Sequence, residues 1–83
     1  MIARPRKLDL IEARPSVCGG AACIAGTRIP IWMLYEAHLA GLTDEKILDM
    51  HRSLSPIQLA AAWEYARAHE QELQGHIREN REG

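Results

Sequence analysis

The side chains best suited to chemistry in this sequence are Cys18, Cys23, the four histidines His38, His51, His69 and His76, and Arg28. Two thiols so close in the chain suit half a zinc site or, facing each other across a hairpin, a disulfide. A zinc site needs two further ligands, and the histidines show no paired ligand spacing. A disulfide is unusual in the cytoplasm, so reduced thiols are expected, one or both packed as small apolar groups. Catalysis asks for a nucleophile beside a base, paired carboxylates on one face, or a loop that cradles phosphate. Gly19-Gly20 and Gly26 lack the Lys and following Ser or Thr of a phosphate loop, and the acids are scattered over helix surfaces. His38 falls on the apolar face of its helix, where a hydrogen-bonded core histidine is commoner than a catalytic base. No catalytic residue, metal site or cofactor is expected, and the chain is read as a binding module rather than an enzyme.

Arg28 is the charged residue of an otherwise apolar, small-residue segment directly before Ile29-Pro30-Ile31. Its guanidinium has donors enough to satisfy carbonyls of the neighbouring turns or to meet a carboxylate. Pinning of those turns is the first expectation, and contact with a partner the second.

These groups sit in a chain of 83 residues, 47% apolar and 25% charged, with a net charge of -1. That length holds a single core, and chains of this size are marginally stable unless a metal, disulfide or partner contributes. The composition is that of a packed domain, not of a disordered chain. No apolar run approaches the ~18 residues of a spanning helix, and the N-terminus has basic residues without an apolar export stretch, so no membrane association and a cytoplasmic location are expected. A charge near neutrality argues against a strong non-specific grip on nucleic acid, which comes from Lys and Arg neutralising phosphates. A local basic patch is still allowed, and the basic residues gather at the two ends, with Arg4, Arg6, Lys7 and Arg14 at the start and Arg78 and Arg81 near the finish.

A basic, flexible stretch is expected over residues 1–7, a single domain over 8–70, and a polar tail or helix extension over 71–83. Alternation from Lys7 to Leu10, with Ile11 and Glu12 following, suits a short strand. Gly19-Gly20 between two short apolar stretches predicts a tight hairpin, and Gly26 a second turn. Pro30 suits the first turn of a helix that carries Leu34, Tyr35, His38, Leu39 and Leu42 at helical spacing and stops at Gly41. Thr43 caps a shorter helix with Asp44 and Glu45 in its first turn. Ser55-Pro56-Ile57-Gln58 is a capping box with proline at the first helical position. The helix it opens has Leu59, Ala62, Trp63 and Ala66 on one face and Ala61, Tyr65 and Ala68 on another, which implies two packing partners. Beyond His69 only Leu73 and Ile77 are apolar, at i, i+4 spacing, and could anchor a partner.

The helix from Thr43, the turn around His51 to Leu54 and the helix from Ser55 have helix-turn-helix spacing, with the preceding helix in support. Such a unit reads DNA from the start of its last helix, here Pro56, Ile57, Gln58 and Ala61, of which only Gln58 can make a bidentate contact to adenine. Direct reading by this domain alone is therefore poorly equipped.

The run Gly20-Ala21-Ala22-Cys23-Ile24-Ala25-Gly26-Thr27-Arg28-Ile29-Pro30-Ile31, then Ala40-Gly41-Leu42-Thr43-Asp44-Glu45-Lys46-Ile47-Leu48, Leu54-Ser55 and Ala61-Ala62-Trp63-Glu64-Tyr65-Ala66, resembles the domain-of-unknown-function family numbered 433. The likeness covers roughly residues 8 to 70, and its Gly-Thr-Arg-Ile segment ahead of a helix is distinctive. His51-Arg52 departs from the Tyr-Pro pair common in the family. The resemblance implies a mostly α fold, a three-helix, homeodomain-like helix-turn-helix bundle preceded by a short β-hairpin. It also implies a bacterial antitoxin of a type II toxin-antitoxin pair, whose partner is a small PIN-like nuclease and whose complex binds its own operator DNA as a homo- or hetero-oligomer. Gly20, Gly26, Thr27, Arg28, Gly41, Ser55, Ala62 and Tyr65 match the family pattern, with no catalytic role attached to them. Partner contact is expected at Arg28, Tyr65, Leu73 and Ile77. The rival expectation is a stand-alone helix-turn-helix regulator, which the lack of any Lys or Arg between Ser55 and Arg67 disfavours.

Overall fold

A computed structural model of the chain describes residues 10–13 and 20–82. The expected basic stretch over 1–7, Cys18, Gly19 and Gly83 lie outside the described residues. Two strands, β1 (Ile11–Glu12) and β2 (Cys23–Ile24), pair antiparallel with Ile11 opposite Ile24 and Glu12 opposite Cys23. Leu10, which the alternation from Lys7 would place in the strand, is not yet extended, and Lys7 to Asp9 lie outside the described residues.

The second turn forms around Gly26, whose φ of +77° is costly for a residue with a Cβ. Its amide donates to Glu12 Oε1 at 3.1 Å, which ties the turn to β1. Thr27 closes it: its hydroxyl donates to the Ile24 carbonyl at 2.7 Å and accepts from the Ile29 amide at 3.1 Å. Cys23 is fully buried, with its Sγ donating to the Thr27 carbonyl at 3.7 Å. Pro30 bridges back to Cys23 and stands as the N-cap of the first helix, one position outside it.

Four helices follow, α1 (Ile31–Leu39), α2 (Asp44–Met50), α3 (Pro56–Ala68) and α4 (Glu70–Glu82). The first ends in a Schellman closure: Leu42 N–H donates to Ala37 O at 3.1 Å and Gly41 N–H to His38 O at 3.0 Å, with Gly41 at φ +96°. Thr43 caps α2 by accepting from the Lys46 amide at 3.1 Å. His51 closes the next turn, its carbonyl accepting from the Leu54 amide at 2.9 Å. Ser55 and Gln58 form the capping box of α3 in both directions.

Ile24, Ile31, Leu34, Ile47, Leu59, Ala62, Ala66, Leu73 and Ile77 form one core that takes residues from β2 and every helix. The mostly α class and the N-terminal hairpin are as expected, but the bundle has a fourth helix. Where the sequence suggests a polar tail or helix extension over 71–83, α4 is a separate helix that packs chiefly on α1. Its i, i+4 pair, Leu73 and Ile77, is 1% and 8% exposed. Two α1 residues read as core from their spacing lie outside it: His38 is exposed and Leu39 is 58% exposed. The body of the bundle covers the face of Leu34 and Tyr35, whereas His38 and Leu39 border open clefts against α3 and α4.

Candidate functional site

The start of α3 presents Pro56 and Ile57 to solvent, Ile57 at 56% exposure, and Met50 at the end of α2 is equally exposed. Gln58 is half-buried, and its Oε1 accepts from the Ser55 amide at 2.8 Å. The same oxygen would be needed for bidentate pairing with adenine, so the cap competes with base contact. Ala61, expected among the exposed residues, is only 2% exposed. The reason is that α3 is covered on more than one side, by α1, α2 and α4 and by strand β1. The two apolar faces of α3 thus find partners within the chain.

Arg28 is exposed and, among the described residues, meets neither a carbonyl nor a carboxylate. The expected pinning role is therefore not what holds the turn; Thr27 and Glu12 do that work. Exposure leaves Arg28 available for contact.

Tyr65, His69 and Glu72 form a cluster at the corner between α3 and α4. The Tyr65 hydroxyl donates to Glu72 Oε2 at 2.5 Å, and the rings of Tyr65 and His69 stack at 3.9 Å. His69 Nδ1 stands 3.0 Å from the Tyr65 carbonyl. Burial first, then the hydrogen bond and the charge of Glu72, push the Tyr65 phenol up to about 12. A neutral phenol is a donor to the carboxylate, so Tyr65 and Glu72 form a clasp on the corner, and the phenol keeps its proton at neutral pH.

A cleft of about 520 Å³ runs between α1 and α4, lined by Leu39 and Ile77 and by the polar Glu36, Gln74 and Arg81. Arg81 Nε pairs with Glu36 Oε2 at 3.3 Å. A second cleft beside it is bordered by His38, Leu39 and Trp63, and Trp63 donates from Nε1 to Asp44 Oδ1 at 3.1 Å while its ring lies 5.1 Å from that of His38. Of the residues expected to meet a partner, Arg28 is free to do so, Tyr65 is engaged in the corner, and Leu73 and Ile77 serve the chain's own core. Sequence spacing points to none of Glu36, Leu39, Glu72 and Arg81 as neighbours, because their proximity depends on α4 folding back. No three His, Cys, Asp or Glu side chains among the described residues are grouped to hold a metal ion.

A hairpin leading into a supporting helix, then a helix-turn-helix and a returning helix, defines a small helical domain with a helix-turn-helix unit at its centre. The family model described as protein of unknown function (DUF433) matches residues 11–66, and the chain belongs to that family. It is similar to a crystal structure of a DUF433 member from Anabaena variabilis, with a TM-score of 0.79 and 35% identity over 82% of this chain and 67% of that one. No curated protein matches the chain. The matched segment ends inside α3, so α4 lies beyond it.

Proposed function

We propose that this chain is the antitoxin-like member of a type II toxin-antitoxin pair, a non-enzymatic cytoplasmic protein that binds and inhibits a small PIN-like nuclease. Membership of a family whose likeness implies that role supports the reading. The observation that carries it is the chemical character of the helix-turn-helix surface. Met50 and Ile57 are each 56% exposed there, and after Ser55 no cation occurs before Arg67, close to the far end of α3. Strong binding to phosphates draws on several Lys or Arg, of which α2 and the turn offer Lys46 and Arg52 and the start of α3 none, whereas exposed Met and Ile gain by being buried against another protein. Arg28 and Leu39 are exposed as well. Operator binding is assigned to the complex, in which the partner or a second copy adds the cations that the start of α3 lacks.

A stand-alone DNA-binding regulator is the second reading, favoured by the capped helix-turn-helix with Pro56 and Ile57 open to solvent. Co-expression with the product of the adjacent reading frame, with a tag on this chain alone, separates the two. Co-purification of a small nuclease whose toxicity is suppressed is the expected result. A chain that retains nothing yet shifts its own upstream DNA would overturn it in favour of the regulator. In the inhibitory complex, Ile57→Asp should weaken retention of the nuclease by about tenfold or more, because an unpaired carboxylate is costly to bury.

A further inference from the structure

The connection between α3 and α4 is the single residue His69. Around it runs Ala66-Arg67-Ala68-His69-Glu70-Gln71-Glu72, mostly strong helix formers without Gly or Pro, so local preference favours a helix that continues. The caps point the same way. Thr43 and Ser55 supply side-chain caps to α2 and α3, but the residue before α4 is His69, whose ring turns back to the Tyr65 carbonyl. A helix start without a cap leaves its first amides, and the preceding helix its last carbonyls, without intrahelical partners. Tertiary contacts hold the corner against this preference. They are the burial of Leu73 and Ile77, the Arg81 to Glu36 pair, and the Tyr65 to Glu72 bond. Of the two polar contacts, the first joins α4 to α1, on which it chiefly packs, and the second ties it back to α3.

We propose that α4 exchanges between two copies of this chain. With the corner straightened, residues 56–82 form one helix about 40 Å long, and each α4 packs on the α1 of a second copy. Both arrangements bury the same apolar side chains, so the balance is set at the junction. Straightening completes the backbone hydrogen bonds around residue 69. It gives up the Tyr65 to Glu72 bond, because residues seven apart in a helix lie about 10.5 Å apart along its axis and an aromatic side chain leans toward the N-terminus, away from Glu72. It also gives up the intramolecular advantage of a short connection, an effective concentration of order millimolar or above. The exchanged form is therefore a closed, twofold dimer that grows with concentration and equilibrates slowly, because α4 must leave the core before it can exchange.

The test is a Glu36→Cys/Arg81→Cys chain in a Cys18→Ser background, incubated at rising concentration, diluted, and joined at once with a short bismaleimide. Cys23 is fully buried and does not compete for the reagent. In the unexchanged fold the two new thiols lie in one chain, and in the exchanged fold they lie in two. A covalent dimer on a denaturing gel is expected to rise several-fold with prior concentration, and further in a Tyr65→Phe chain and in a His69→Leu chain, which continues the helix. Linkage within single chains at every concentration, with a monomer mass by light scattering, overturns the proposal. So does a dimer by light scattering whose linkage stays within each chain, because another face then joins the copies. If His69→Leu fails to fold, the parent and Tyr65→Phe chains decide.

Discussion

Two glycines in this chain respond oppositely to the same substitution. Gly41 closes α1 with φ at +96°, so Gly41→Ala is expected to cost about 1 kcal/mol although nothing occupies the space its Cβ would fill. Gly75 lies within α4, and a methyl group there would meet open space, so Gly75→Ala should add about 0.5–1 kcal/mol by removing backbone freedom from the unfolded chain. Thermal melts of the two variants check both signs. Arg28→Ala should leave stability within about 0.5 kcal/mol, since the side chain is exposed. A larger loss would restore the pinning role. Tyr65 gives a pH dependence whose sign follows from its raised value. The folded chain holds the phenol proton up to about 12 against an ordinary 10.0, so the contribution is present below pH 10 and is lost as pH rises from 10 towards 12. Tyr65→Phe should flatten the alkaline side of the stability profile.

At the scale of elements, α4 is the test of how this small domain obtains enough core. Leu73 is 1% exposed and belongs to the same cluster as Leu34 and Leu59. Leu73→Ala should therefore destabilise the whole domain by about 2–5 kcal/mol, measured by urea unfolding. Truncation before Glu70 removes both Leu73 and Ile77 and should lower the melting temperature sharply, rather than trim an independent tail. Intact stability after truncation would return α4 to the status of an appendage. The caps of α2 and α3 were legible in Thr43 and Ser55-Pro56-Ile57-Gln58, because capping is decided within four residues. The destination of α4 was not, since its i, i+4 pair is equally consistent with a partner's surface and with α1.

For the whole molecule, a core drawn from β2 and all the helices predicts a single cooperative transition. Trp32 on α1 and Trp63 on α3, both half-buried against the core, report its packing, and far-UV circular dichroism reports all helices, including α4. The two signals should melt together. An earlier loss of helical signal would mean that α4 leaves separately, which would also speed its exchange between copies. The extents of 48 × 29 × 22 Å describe an elongated body, and no helix among the described residues is long and apolar enough to cross a membrane.

The sequence by itself determined the elements whose causes are local. The Gly26-Thr27 turn, the glycine stop after α1, the capped helix-turn-helix and the family they identify all follow from residues a few positions apart. Tertiary structure alone decided which faces those elements keep covered. His38 and Leu39 share the helical spacing of the core yet stand outside it, and Ala61 is buried where a recognition residue was expected. Arg28 stands free of its own turn, and a polar segment becomes the fourth wall of the core. The physical reason is that periodicity fixes which side chains share a face, whereas burial depends on what another element brings to that face from elsewhere in the chain.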